Sequence, residues 1–342
     1  MNTLAHSKYR VRLLAQPHGG TPYDLTGVCE QITWQTTRDM GRAGTLECVL
    51  QKRIDDDGII IPAGSRIQFW VNGEGLFSGI CEEAELSKNG NGEKVYLLRA
   101  VDHLQLLQGI ESAYRPEGMT ADGFFMHLYN KYRPRFDLAG ARCAVFEPST
   151  APLNDYYFDG YSLYSMISES MTEAHVAEAP NSQYMIRDNM GVIEWRELKA
   201  LRLPIVLGDN SLITSYTYTN SITQTYNAVK ALRDNPEIGM RDAWIVENTE
   251  TQGKWWFRQL TWYADEAMTE AEIMEINRLK LTANNRVHRT LRGAGIGDFR
   301  VRAGMGVQLR MDAAKIDKGH WCEEATHILS SDMHHMDLLF YV

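Results

Sequence analysis

Along the first hundred residues, apolar and polar positions alternate in short runs, the period-two signature of half-buried strands. The runs are "YRVRLLA", "VCEQITWQ", "GTLECVLQ", "SRIQFWVN", "LFSGICEEAEL" and "KVYLLRAV", each rich in β-branched or aromatic residues. Turn chemistry separates them: "DDDG" at 55–58, "VNGEG" at 71–75 and "NGNG" at 89–92. Asn-Gly supports the positive φ angles of a tight hairpin, so the last of these is the strongest turn signal. Six strands with regular turns predict a small barrel or sandwich.

After Asp102 the period changes from two to that of a helix. Thr120 is placed to cap a helix running to about Tyr132, with Phe124, Leu128 and Tyr132 on one face and Pro134 stopping it. A second helix is expected near 162–173, where Leu163, Met166, Ile167 and Met171 fall at helical spacing. A hairpin, "SQYMIRDNMGVIEWREL", follows, turning at 188–191. From about Pro204 strands return in "ITSYTYT", "AVKALR", "AWIVEN" and "WWFRQLTWY". One helix interrupts them, opened by the capping box of Thr269 and Glu272 and buried along Ile273, Ile276, Leu279 and Ala283. The expected organisation is a first β-barrel at 1–115, an inserted α/β domain at 116–204, and a second β-barrel at 205–342 with a helical insertion near 268–286. The fold class is therefore mainly β with an α+β insertion of helix, helix and hairpin.

The two β-rich regions share a pattern. "CEEA" occurs at 81–84 and again at 322–325. Four matching letters are about what chance allows in a chain of this length, so the flanks decide. "IIPAGSRIQFWV" precedes the first copy and "RVRAGMGVQLRM" the second. Each has Ala-Gly and then a strand with Gln four residues after the Gly, at Gln68 and Gln308. From that Gly to the Cys is 17 residues in one copy and 18 in the other, counting Gly64 to Cys81 and Gly304 to Cys322. Each CEEA leads through a turn into a long apolar strand, "KVYLLRAV" or "MDLLFYV". Order and spacing agree over about forty residues, so the chain is read as containing one strand–strand–hairpin unit twice. Strict alternation puts Cys81, Glu83 and Glu85 on one face of the CEEA strand and Ile80, Glu82, Ala84 and Leu86 on the other. A face with Glu83 and Glu85 must be wet or meet a cationic partner. The last strand is apolar on both sides, with Met336, Leu338 and Phe340 against Leu339 and Tyr341, and so calls for cover on both.

Composition narrows the function. Acids outnumber bases 44 to 35, a formal net charge of -9, which argues against stable nucleic-acid binding. No stretch approaches the length of a membrane span, and the N-terminus lacks a signal-peptide run, so cytoplasmic synthesis is expected. The five cysteines are scattered without a CxxC, so reduced, buried thiols are expected. No P-loop, GxSxG, HExxH or EF-hand loop is present. The glycines of "GAGIGD" at 293–298 lack dinucleotide spacing and read as a flexible turn. His320, His327, His334 and His335 lack the spacing of a ligand set, so interfacial or hydrogen-bonded histidines are expected in place of a metal site. Glu82 and Glu83 point to opposite faces and cannot converge as a glycosidase pair. No catalytic, metal or cofactor residues are assigned. This favours a structural component over an enzyme, with a peptidoglycan hydrolase and a carbohydrate-binding module built on Trp255, Trp256 and Trp262 as alternatives.

Taken in order, "GTLECVL", "IPAGSRIQFWVNGEGLFSGI", "VYLLRAVDHLQLL", "SLYSMISESM", "YMIRDNMGVIEWREL", "ITSYTYTNSITQTYNAVKALRDN", "NRVHRTLRGAGIGDFRVRAGMGV" and "THILSSDMHHMDLLFYV" resemble the baseplate hub proteins of contractile phage tails and phage-tail-like particles, the XkdQ/YqbQ group. Each segment is modest, and their order over roughly 300 residues makes the match specific. The resemblance implies two tail-tube-like barrels per chain and a homotrimer. Its six barrels would form a pseudo-sixfold ring adapting the hexameric tail tube to the trimeric spike. It implies the tail tube protein, the spike, and tape-measure and other baseplate proteins as partners. The location implied is a virion or tail-like particle assembled in the bacterial cytoplasm. Glu83, Glu85, Leu97, Arg99, Leu339 and Tyr341 are the candidate interface or lumen residues.

Overall fold

Each of the six alternating runs forms a strand in a computed structural model of the chain, which describes residues 3–38, 42–52, 61–88, 94–178, 182–235, 239–266 and 268–342. The turns expected at 55–58 and 89–92 lie outside these residues. The strands are β1 (Val11–Gln16), β2 (Tyr23–Asp24), β3 (Cys29–Thr37), β4 (Thr45–Lys52), β5 (Arg66–Val71), β6 (Glu74–Lys88) and β7 (Lys94–Asp102). Every pairing among them is antiparallel: β2–β1–β5–β6–β7–β4–β3. The β5–β6 turn uses the other Asn-Gly of the region, with φ of 53° at Asn72 and 86° at Gly73, as a tight hairpin requires. Alternation then turns Leu13, Ile32, Trp34, Leu46, Cys48, Ile67, Phe69, Cys81 and Leu98 into a common core, as expected of a sheet rolled on itself.

The middle of the chain is the expected helix–helix–hairpin region. A 3-10 turn (His103–Gln108) leads to β8 (Ile110–Arg115), α1 (Ala121–Lys131), α2 (Arg133–Ala139), β9 (Arg142–Val145), β10 (Tyr156–Ser162), α3 (Leu163–Ala177), β11 (Tyr184–Asn189) and β12 (Val192–Glu197). Thr120 caps α1 by accepting from the Gly123 amide, and Ser162 caps α3 by accepting from Ser165. Pro134 does not act as a stop. α1 ends at Lys131, and the proline stands in the first turn of α2, where its missing N–H costs nothing. Phe124, Phe125, Leu128, Leu163, Met166, Ile167, Ile193 and Trp195 form this region's own core.

After β13 (Arg202–Gly208), which pairs in parallel with β19 (Gly306–Met311), comes β14 (Ile213–Ser221). The chain leaves one compact unit (Met1–Tyr216 with Arg292–Phe340) and builds a second (Thr217–Leu291 with Tyr341–Val342). The second unit holds a three-stranded sheet in the order β16 (Met240–Glu247), β15 (Ala228–Asn235), β17 (Gln259–Tyr263), with helices α4 (Thr249–Trp255) and α5 (Glu270–Asn284). The capping box of Thr269 and Glu272 is formed. Buried Asn277 accepts from the Trp262 indole at 2.7 Å and donates to the Trp244 carbonyl, tying α5 to two strands. Trp255 was expected in a strand with Trp262. It ends α4 instead, because Asn248 caps a helix by accepting from Thr251. The tryptophans therefore make no single platform: Trp256, at φ 63°, is 85% exposed, while Trp262 is hydrogen-bonded.

Back in the first unit run β18 (His288–Ile296), β19 (Gly306–Met311), β20 (Ile316–Ser330) and β21 (His334–Tyr341). Of the three glycines read as a turn, β18 contains Gly293 and Gly295. They are strand residues because the chains approach closely: a Cβ at Gly295 would lie 2.0 Å from the Leu212 carbonyl oxygen.

The repeat expected from "CEEA" recurs in atomic detail. Residues 62–65 and 302–305 make the same turn, with φ of 85° at Gly64 and 80° at Gly304. In each, the fourth residue's amide donates to the first residue's carbonyl, Ser65 to Pro62 and Met305 to Arg302. Gly64 donates to the Cys81 carbonyl and Gly304 to that of Cys322. β6 and β20 each have 15 residues, and each carries a bulge between its Cys and the second Glu. The Cys81 thiol donates to the Glu83 carbonyl at 3.3 Å and Cys322 to that of Glu324 at 3.2 Å. This bulge corrects the alternation expected for β6. One extra residue resets the face, so Cys81 is buried with Ala84 packed on the core, while Glu83 and Glu85 point outward.

Candidate functional site

The two repeats do not stand apart. β3 pairs with β4 on one side and with β20 on the other, from Thr37 opposite Glu324 to Gln31 opposite Ser330. The sheet order is β14–β18–β21–β20–β3–β4–β7–β6–β5–β1–β2, so the first repeat's β3–β4–β7–β6–β5 and the second's β14–β18–β21–β20 run in the same sense. Two ion pairs flank the junction, Arg38–Glu323 at 3.0 Å and Arg42–Glu324 at 3.2 Å. Burial pushes the Glu323 carboxyl up, and Arg38 opposes that shift.

One face of this sheet is core; the other is polar. On the outward face Arg99 reaches Glu83 at 2.6 Å and Glu47 at 3.1 Å, holding two carboxylates with one guanidinium. Glu85 is exposed and stands opposite half-buried Leu97. Thr33 and Gln35 continue the face on β3. In the second repeat Leu339 stands opposite Glu324 and is 9% exposed, and Asp337 pairs with His335 at 3.1 Å. Tyr341, which falls in the second unit, is 62% exposed. Glu83, Arg99, Glu85 and Leu97 thus come together across β6 and β7.

Two histidines of the terminal cluster are built into the core beside the junction. His327 Nδ1 lies 3.0 Å from His334 Nε2, and His327 Nε2 is 2.8 Å from the Val301 carbonyl. Phe299 stacks on His334 at 3.8 Å, and Trp34 stacks on His327 at 5.4 Å. Burial pushes His327 down to about 4 and His334 down to about 3. Both are neutral structural groups near pH 7. Among the described residues no group of His, Cys, Asp or Glu is arranged to hold a metal ion.

A second polar cluster gathers residues of the helical region and of both repeats. His103 Nδ1 meets Asp188 at 2.9 Å, both nearly solvent-free. Beside them Thr36, Asp102, Arg187 and Arg302 line a small cavity of about 20 Å³. Burial lowers Arg302 to about 10 and raises Asp102 well above the usual carboxylate range. Neither this cluster nor the β3–β20 junction was legible beforehand, because their members lie up to hundreds of residues apart; Arg42 and Glu324 are separated by 282 positions.

A family model described as YQBQ-like matches residues 32–340, nearly the whole chain. The chain belongs to the YQBQ-like family. The resemblance to the XkdQ/YqbQ group is thus confirmed. No protein of curated function matches the sequence. Solved structures share the fold of this YQBQ-like chain. The 43 kDa tail protein of prophage MuSo2 from Shewanella oneidensis superposes with a TM-score of 0.71 at 10% identity, covering 97% of this chain and 98% of that one. A tail protein from Neisseria meningitidis gives 0.68 at 13%, covering 98% and 96%. The E. coli c3393 protein gives 0.51 at 11%, covering 92% and 73%. It is described as a type VI secretion component similar to the T4 bacteriophage tail proteins gp27 and gp5. At these identities the likeness concerns the fold: mainly β, several sheets and a few helices. Among the described residues no helix is long and apolar enough to cross a membrane.

Proposed function

We propose that this YQBQ-like protein is the structural hub of a contractile tail or tail-like particle. Three copies form a ring of six repeats that fits a hexameric tube on one side and a trimeric spike on the other. The observation that carries this reading is the β3–β20 junction: one chain already holds two like modules, in the same sense, in one continuous sheet. Repeating that relation three times gives threefold symmetry in the chain and near-sixfold symmetry in the modules, and a closed ring leaves no sheet edge. Family membership and the tail proteins that share the fold support it. The partners are then the tube protein, the spike, and tape-measure and other baseplate proteins, in a particle assembled in the bacterial cytoplasm. The reading assigns no enzyme activity.

The polar face carrying Glu47, Glu83, Glu85 and Arg99 lines the lumen in this reading. Three chains bring a formal charge of three times -9, or -27, and an acidic wall repels passing phosphate. Arg99 offsets part of it locally. The mass in solution tests the ring: three times 39.0 kDa gives about 117 kDa, whereas a stable dimer contradicts it. Lysis of cell walls by the purified chain would instead favour the hydrolase alternative.

A further inference from the structure

The aligned strands of the two repeats carry different residues on their outward face. In the first repeat Arg66 of β5 stands opposite Ile80 of β6, and Gln68 opposite Ser78. In the second, Gly306 of β19 stands opposite Trp321 of β20, and Gln308 opposite Gly319. The Arg66 guanidinium donates to the Ala139 carbonyl at 2.8 Å, so the end of α2 lies over the first face. The second face keeps a hollow, for two reasons. β13 bows away from β19: Arg202 pairs with Gly306 and Val206 with Gln308, so three residues of β13 pass the single residue Val307. Glycines also stand where side chains would fill the space. The Trp321 ring lies across Gly306, whose Cβ would meet it at 2.3 Å, while a Cβ at Gly319 would meet nothing nearer than 3.9 Å. The result is a cavity of about 330 Å³ between Arg202, Gln308, Gly319 and Trp321, a volume in the range of ligand pockets.

We infer that this cavity takes an acidic peptide segment of a partner protein, with its carboxylate on Arg202 and a neighbouring side chain against Trp321. Arg202 is exposed, and its guanidinium lies over the Trp321 ring, 5.4 Å from the centroid. Stacking occupies the flat face of the guanidinium and leaves its edge of N–H donors for the two oxygens of a carboxylate. Nothing in the chain takes up that edge. Among the described residues the Arg202 side chain makes no hydrogen bond or ion pair, and no carboxylate lines the cavity. Asp317, two residues from Gly319 on the same face, is held by Gln308 at 2.8 Å and by Arg310 at 3.5 Å. Charge therefore selects an anion. The first repeat favours polypeptide as its carrier, because the guanidinium at the matching place there is covered by the chain itself, through the Ala139 carbonyl. The hollow over Gly319 gives a side chain room beside the indole, which a free phosphate would leave empty. The site rests on the cavity and the repeat, and is independent of how many copies associate.

The test titrates the full chain, labelled with fluorotryptophan, with a mixture of blocked pentapeptides that have Glu fixed at the centre and varied flanks. Trp321→Phe assigns the Trp321 resonance. The expected result is a saturable shift of that resonance. A matching mixture with Gln at the centre should bind at least about tenfold more weakly, since it brings no charge to the guanidinium. Arg202→Gln should lose the response while its unfolding midpoint stays at the wild-type value, because the side chain is exposed and unpaired. Arg300→Gln, at an exposed arginine paired with Asp298, should respond as the wild type does. Gly319→Val fills the hollow and should block binding with Arg202 intact. The absence of a shift with the Glu mixture overturns the site. So do equal responses to the Glu and Gln mixtures, or an unchanged response in Arg202→Gln or in Gly319→Val. Inorganic phosphate, titrated alone, should bind more weakly than the Glu mixture; phosphate binding as tightly as the peptides overturns the peptide as occupant.

Discussion

The β6 and β20 strands begin alike and end differently. Both start after the same Gly-containing turn and pass the same cysteine-anchored bulge. Beyond the bulge β20 continues as "ATHILS", half of it buried, while β6 continues as "AELSK", almost all of it exposed. The shared part specifies a module. The differing part records what lies beside each outer edge: β20 has β3 of its own chain there, while the matching stretch of β6 pairs with no strand other than β7 among the described residues. In a single-layered duplication both ends would carry the same residues. Their divergence follows from different surroundings: the β20 edge is covered by β3 and alternates with buried residues, whereas the β6 edge is exposed and carries charge.

The strongest way to break the internal junction is at Trp34. It is 2% exposed, stacks on His327, and stands on the strand shared by both modules. Trp34→Ala should cost about 3–5 kcal/mol in chemical unfolding, whereas Ser215→Ala, at the matching place on the open edge, should leave the monomer's stability unchanged.

Next in size is a pH effect confined to the second module. His327 and His334 are pushed down to about 4 and about 3 from an ordinary 6.5. Their folded pKa values lie below the unfolded ones, so between these values the unfolded chain binds protons that the folded chain refuses. Their contribution is present above pH 6.5 and is lost as pH falls from about 6.5 through about 4 for His327 and about 3 for His334. Denaturant midpoints across that window should fall in the wild type. They should fall less in a His327→Gln, His334→Gln variant; equal slopes would remove the pair as the cause. Asp298, Lys8, Arg302 and His335 share this surrounding and are common to both proteins in the comparison.

The smallest contrast lies in the ion pairs. Arg38→Ala leaves the largely covered Glu323 without its partner and should cost about 1–2 kcal/mol. Arg99→Ala breaks exposed contacts to Glu83 and Glu47 and should leave the unfolding midpoint unchanged within error. In a phage, Glu83→Lys with Glu85→Lys should slow DNA passage while assembly proceeds; unchanged passage would take the acidic lumen out of the account.

Most strands, three of the helices and the repeat itself were legible because they rest on local patterns: alternation, Thr120 and Thr269 as caps, the helical spacing of Leu163, Met166, Ile167 and Met171, and Ala-Gly turns. Three kinds of feature were not. The bulges at Cys81 and Cys322 add one residue to a strand without altering its composition, so alternation alone put Cys81 on the wrong face. Pro134 and Trp255 were misread because a proline suits a helix start as well as a stop, and because α4 announces itself only by the Asn248 cap. The junction between modules, with Arg42 and Glu324 in contact, depends on pairs that nothing in a single sequence links.

Electron-microscope images of the associated chain, viewed down its axis, test the central claim most directly. The account predicts a closed annulus of six similar lobes with threefold symmetry. A two-fold particle or an assembly that does not close would contradict it.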